Sequence, residues 1–393
     1  MNLSARPRQI LSHALIWVFV LSFLAPHMAS ARTVLQLEND VVLSFADGDI
    51  DIRSASGELY DVEVSKDGAL MLTAEYLNID ADGTIGEDDY YINSLVMKRA
   101  LAPDAGLFIN QLDVREMPVG AMDEDSIDGA PATFSEQSLI RMTNLSIEAE
   151  EALISIDEIS SLPVSLAEPT PGNIIVTEGG VTVRGMTIMP LEQTRGHNPL
   201  VDKLAARGLS SVSLDFILMT TTDMVGTGSN TGMSVGYELL ADIHDLAALE
   251  FAVSFAVDED VYHRLMPLLA APEDNAMALL GLSGAIAIES GRLVIDDSGL
   301  GDIIYAVAAE EEGVSEAEFR SMLRMSAATG VGATFPENVA RLLPAIEAML
   351  KQGGRLTLTA APDMPVPLTS VIGFAMYPDL AINQLRIALE HRP

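Results

Sequence analysis

Three stretches read SVSLDFILM (211–219), TGMSVGYELLAD (231–242) and LEFAVSFAV (249–257). In the first, Val212, Leu214, Phe216 and Leu218 alternate with smaller or polar residues. Met233, Val235, Tyr237, Leu239 and Ala241 do so in the second, and Leu249, Phe251, Val253, Phe255 and Val257 in the third. Side chains of a strand point alternately to opposite faces, so each set makes one apolar face. The connections, 223–232 and 243–248, suit hairpins. Three consecutive long strands joined this way predict an antiparallel meander with one face that must be covered.

Upstream, shorter strands are expected at Val41–Phe45, Ile50–Arg53, Leu70–Leu77, Leu139–Ile147 and Leu153–Ile156. Two more, Ile174–Thr177 and Val181–Met189, are expected to flank a Gly179–Gly180 turn. Ala46-Asp47-Gly48 and Lys66-Asp67-Gly68 read as turns, since Gly accepts positive φ and Asp bonds its own backbone. Residues 121–136 are acidic, with few large apolar groups, and read as a solvated loop. A short helix is expected from Pro199 to Gly208.

After Asp258 the period changes. Val261–Leu282 reads as helical with a break near Pro272, and Ala285–Ile295 as a strand. Ser315 and Glu318 form a capping box that opens a helix over 316–328. Pro336 suits a first helical position, and Gly353 the end of a helix that holds Pro344 in its interior. Arg355–Ala361 and 385–389 read as further strands. The fold class is therefore α+β: a long curved antiparallel sheet with helices packed on one side in the C-terminal half. The expected organisation is 1–31, 32–193 and 194–393, the last two sharing one sheet.

The chain opens with Arg6 and Arg8, an apolar run over Ala14–Ala25, Pro26 and the small residues Ala29-Ser30-Ala31. That is the layout of a secretory signal peptide cut after Ala31. The run is short of the roughly 20 apolar residues a transmembrane helix needs. A periplasmic or secreted protein is expected. The formal charge of −35 over 393 residues argues against nucleic acid, which requires clustered Lys and Arg. The chain has no cysteine, so its core must hold without disulfides.

The segments RLVIDDSGLGDIIYAVAAEEEGVSEAEFRSML (292–323), LLPAIEAMLKQGG (342–354) and RLTLTAAPDMPVPLTSV (355–371) resemble a family of exported alphaproteobacterial proteins. The β-rich part before them is similar to the wider class of AsmA-like envelope proteins. The resemblance implies an elongated, curled antiparallel sheet with an apolar inner face, and a role in lipid handling or envelope maintenance. The cleavable leader departs from the membrane anchor usual in that class.

Candidate chemistry is sparse. Asn78–Asp89 (NIDADGTIGEDD) matches the spacing of an EF-hand loop, with oxygen ligands at Asn78, Asp80, Asp82 and Asp89, Gly83 at the turn and Ile85 beyond it. The alternation of Leu70, Leu72, Ala74 and Tyr76 before it predicts a strand instead of an entering helix, and a strand with an Asp-Ala-Asp-Gly turn explains the same letters. His197, His244, His263 and His391 lack zinc-pair spacing. Gly226, Gly228 and Gly232 lie between two strands, where a nucleotide cradle would need a following helix. Asp296 and Asp297 fall on opposite strand faces, and turn chemistry at Asp297-Ser298-Gly299 explains them. No catalytic residue, metal or cofactor is assigned. The expected role is a non-enzymatic envelope protein that holds a lipid or other apolar ligand against the sheet. The alternative is a structural or interaction protein of the periplasm or cell surface with an envelope protein partner, stabilised by calcium.

Overall fold

The computed structural model describes residues 33–36, 41–51, 56–82, 89–120, 137–149, 151–170, 173–191, 198–225, 232–270 and 276–393. The expected leader, the acidic segment 121–136, His197, Gly226 and Gly228 lie outside them. The chain divides into two compact units: Met1–Ile175 with Val181–Leu191, and Val176–Gly180 with Glu192–Pro393.

The first unit is built from β1 (Thr33–Gln36), β2 (Val41–Phe45), β3 (Asp47–Asp51), β4 (Ser56–Lys66), β5 (Ala69–Asp82) and β6 (Asp89–Ala102). They are followed by β7 (Leu107–Gly120), β8 (Leu139–Glu148), β9 (Ala152–Ser161), β10 (Ser165–Thr170) and β11 (Asn173–Pro190). Antiparallel pairing runs β1–β2–β4–β5–β6–β7–β8–β9–β11, with β3 also on β4. The expected turn at Asp67-Gly68 is present, with φ of 52° and 79°, the left-handed pair of a tight hairpin. Gly179–Gly180 is not a turn: both residues lie inside the continuous 18-residue β11. A Gly pair permits a turn without requiring one, and the ladder to β9 begins at Val181. At the other expected turn, Asp47 already begins β3, its carboxylate accepting from the Gly48 amide.

Seven strands of this unit carry an irregularity at the same level. Across the sheet, Asp61, Glu75, Arg99, Asn110, Asn144, Asp157 and Gly185 stand opposite one another at positions skipped by the ladders. Alternate members have positive φ: Asp61 51°, Arg99 50°, Asn144 49° and Gly185 62°. On either side the buried residues step by three instead of two, as in Leu59/Val62, Ala74/Leu77, Met97/Ala100 and Ile109/Leu112. A one-residue slip would send a strand's apolar set to the wrong face. Here every neighbour slips together, so the apolar face is kept. Such irregularities bend and twist the strand that carries them. Sequence alternation assigned Tyr76 to the face of Leu70, Leu72 and Ala74; past the slip, the buried positions are instead Leu77, Ile79 and Ala81.

The second unit begins with α1 (Pro199–Ala206), capped by the Asn198 carboxamide oxygen, then β12 (Val212–Val225), β13 (Gly232–Ile243) and β14 (Ala247–Asp258). Next come α2 (Glu259–Ala270), α3 (Ala276–Leu282), β15 (Ile286–Asp297), α4 (Leu300–Glu311), α5 (Glu316–Thr334) and α6 (Val339–Gln352). The chain closes with β16 (Gly354–Ala360), β17 (Val366–Pro367), α7 (Ser370–Met376), α8 (Pro378–Gln384) and β18 (Ala388–Arg392). The ladder runs β12–β13–β14–β15–β16–β18, antiparallel throughout, with β17 beside β15.

The Ser315–Glu318 capping box is formed in both directions. Pro336 does not open α6: it follows Phe335 in a turn closed by the Asn338 amide on the Phe335 carbonyl (3.0 Å), and the helix starts at Val339. Proline suits that second turn position as well as it suits a helix start. Asp297 accepts from the Gly299 and Gly301 amides at 3.0 and 2.9 Å, and so launches α4.

Candidate functional site

The register gathers the three apolar sets of the sequence onto one face. Val235 pairs with Phe255, Tyr237 with Val253, and Leu239 with Phe251. The fourth to sixth strands extend it. One row runs Leu218, Leu239, Phe251, Leu293, Leu358 and Leu389, one residue from each of six strands. With strands about 4.8 Å apart, the row is about 24 Å long. The opposite face carries charge: Glu250 receives Arg292 and Arg355, each at 3.1 Å.

The apolar face is unevenly covered. Leu246, Leu204 and Ile303 form a buried cluster against Val212 and Ile243 at one end of the strands. At the other end Met233, Val257 and Ile286 are buried. Beside β18, Val331, Leu342 and Ile382 pack with Ile387 and Leu389. Between these clusters, Leu218 is 42% and Phe251 41% exposed. Both belong to the apolar row, one strand apart on either side of Leu239.

Polar groups on this face are few. Tyr262 of α2 is buried, and burial pushes its phenol up, while a hydrogen bond with Thr222 of β12 acts the other way. Burial alone raises the Tyr237 phenol, whose ring meets Phe255 edge-on at 6.4 Å.

The supporting helices are tied by charge. Arg320 of α5 is bonded to Asp302, to Glu316 (2.9 Å) and to the Leu350 carbonyl, and lies 4.5 Å over the Tyr305 ring. Burial pushes the Asp302 carboxyl up, but bonds from Arg320 and Arg207 outweigh it and leave its pKa lowered.

The other candidates of the sequence are placed as follows. Asn78, Asp80 and Asp82 are in β5 and Asp89 opens β6, with Asp82 paired to Tyr91 across a hairpin. The entering helix of an EF-hand is replaced by a strand; Gly83, Thr84 and Ile85 lie outside the described residues. Asn78 gives its amide to Glu58 and Tyr76. His244 meets Asp215 at 3.1 Å at the surface, and His391 meets the Gly353 carbonyl at 2.7 Å. No group of three metal-binding side chains occurs among the described residues. None of their helices is long and apolar enough to cross a membrane. Sequence reasoning missed the contributions of Leu293, Leu358 and Leu389 to the apolar row. Their period-two spacing with Ile295, Leu356 and Ile387 was the available signal.

Residues 241–392 match a protein family described only as "Uncharacterized protein". The match takes in the end of β13, the rest of the sheet and α2 to α8, and it contains the whole of the 292–371 segment discussed above. No curated protein matches the chain.

Proposed function

We propose that the second unit holds the hydrocarbon chain of a lipid, or another apolar ligand, on its apolar face, as a non-enzymatic protein of the bacterial envelope. The observation that carries this reading is the six-strand apolar row, exposed at Leu218 and Phe251 and packed against helices at its Leu389 end. One leaflet of a bilayer core is about 15 Å deep, so a row of about 24 Å can accommodate one acyl chain. Sites of this kind are mostly apolar, with a few polar groups to fix orientation. The helices are read as lying on the ligand's side of the sheet. Support comes from the Tyr262–Thr222 bond and from the packing of Leu389 against Leu342 and Ile382. The leader-like first 31 residues and the AsmA-like resemblance agree with export and lipid handling.

The mature protein, delipidated, is expected to bind a fluorescent fatty acid with defined stoichiometry. Tryptophan at Val253, on the apolar face, should shift its emission on binding, and tryptophan at Ser254 should not. The absence of saturable binding, together with no lipid in extracts of the natively purified protein, would remove the reading. The alternative of an interaction protein is favoured by a different surface. Met364, Met376 and Tyr377, around α7, are largely exposed and suit an adaptable protein contact.

A further inference from the structure

Methionine is a residue that folded proteins ordinarily bury. Met233 of β13 and Met97 of β6 follow that rule and are sealed from solvent. Four others do the opposite. Met277 of α3, Met364 ahead of β17, Met376 at the end of α7 and Met325 of α5 are 80%, 77%, 69% and 60% exposed. All four belong to the second unit. Side chains this open bury little apolar surface, so the fold gains little from them. What they keep is their chemistry, a polarizable thioether facing water. The sequence has no cysteine, and its single tryptophan, Trp17, falls in the expected leader. Thioether sulfur is therefore the chain's only sulfur, and these four side chains present it most openly among the described residues.

We propose that Met277, Met325, Met364 and Met376 are sacrificial oxidation sites, which consume hypohalous acids before the buried methionines are reached. The sulfur lone pair attacks the chlorine of hypochlorous acid, the Cl–O bond breaks and hydroxide leaves. Water then displaces chloride from the chlorosulfonium and gives up two protons, one of them to the hydroxide. In sum, one thioether and one hypochlorous acid give one sulfoxide, one chloride and one proton. Sulfur loses two electrons and chlorine gains two. Position decides what this costs, because a sulfoxide is polar. At Met364 or Met376 the new oxygen stays in water and little packing is lost. At Met233, paired with Met224 and Val257, the same oxygen would be taken out of water into an apolar setting, which destabilises. Oxidation at the surface is also reversible, since reductases return methionine sulfoxide to the thioether. The inference is independent of the apolar-chain reading and holds whether or not the sheet binds a ligand.

The test titrates the mature full chain with hypochlorous acid, quenched after each addition. Peptide mass spectrometry locates the sulfoxides, and circular dichroism follows the fold. The four exposed methionines should be oxidised first. With all four converted, the melting temperature should stay within about 2 °C of the untreated protein, as for other surface changes. The two methionine sulfoxide reductases, one for each epimer, should then restore the thioethers. A second chain carries Met277→Leu, Met325→Leu, Met364→Leu and Met376→Leu, which conserve volume and apolar character. Without oxidant it should melt like the wild type. Under titration it should be half unfolded at a dose lower by about four equivalents per chain, one for each sulfur removed. The proposal is overturned if Met97 or Met233 is oxidised at the same dose as the exposed four, if four sulfoxides already unfold the protein, or if the leucine chain unfolds at the wild-type dose. Should the leucine chain fail to fold, the order of oxidation in the wild type still decides.

Discussion

The two units treat the same problem, an antiparallel sheet with one apolar face, in different ways. In the first, Leu59 is 0% exposed and Leu43, Ile92 and Leu95 are each 1% exposed, although no α-helix occurs among its described residues. Its strands are bent at one shared level. In the second, the hairpins of β12 to β14 keep strict alternation; the register slips once, between Ser254 and Phe255, where β14 meets β15. There helix residues pack against Val212, Ile243 and Leu389, while Leu218 and Phe251 stay exposed. Bending the strands can close a face with backbone geometry alone. A straight sheet depends on separate elements, and what they leave open is available to something else.

The sharpest way to break the contrast is a pair of truncations. Leu95→Ala should cost about 3 kcal/mol, in the range of buried Leu→Ala changes. Leu218→Ala, from a side chain two-fifths exposed, should cost about 1 kcal/mol or less. Denaturant unfolding, followed by hydrogen exchange in each unit so that two transitions are not averaged, compares them. Equal losses would mean that the open part of the second face is covered in solution. Phe251→Asp is a harsher probe of the same point. Full burial predicts a loss of several kcal/mol, whereas the observed exposure predicts about 1–2 kcal/mol.

The bent level can be tested next. A methyl group on Gly185 would lie 2.2 Å from the Asp157 carboxylate, and its φ is +62°, so Gly185→Ala should cost about 2 kcal/mol. Arg99→Gly should be close to neutral. It relieves a left-handed residue, worth about 1 kcal/mol. It also gives up the exposed Glu75 pair at 3.2 Å, worth about 0–1 kcal/mol. Arg99→Val, which keeps the strain and adds a branched Cβ, should be clearly worse. If Val and Gly melt alike, the level is not strained.

The smallest expected effect concerns α5, a helix that the second unit uses and the first lacks. Ser315→Ala should cost about 1 kcal/mol through loss of the cap. The Ser315 hydroxyl, and then its backbone amide, hold the Glu318 carboxyl below its ordinary value of 4.5. A depressed carboxyl stabilises above its unfolded pKa, and the benefit disappears as pH falls through the folded one. The melting difference between wild type and Ser315→Ala should therefore be constant near neutrality and shrink below about pH 4.5.

The sequence was most legible where the strands are straight. The strands through Phe216, Tyr237 and Val253 were read with their faces, because period two runs unbroken there. Through Ala74 and Leu77 the strand was recognised and its face misread, because the phase changes at Glu75 and only the neighbours in space reveal it. The helix α4 left no periodic signal: Ile303, Ile304, Val307 and Ala308 make it apolar on several sides. The seven-residue α7 and α8 are too short for one. As for the candidate site, its apolar members could be read and its openness could not, since exposure at Phe251 depends on where distant helices end.

The shared level of bent strands has a consequence for how such a protein can change over generations. A lone deletion at Asp61 would straighten β4 while β5 stays creased at Glu75, and either Leu59 or Val62 would then be turned outward. The same is true of Arg99, Asn144 and Gly185 against their own neighbours. The crease cannot be lost one strand at a time, nor acquired so. Length changes in this unit are therefore expected to accumulate in the hairpin ends and to spare the crossing line, which makes that line the most reliable ruler for aligning distant relatives.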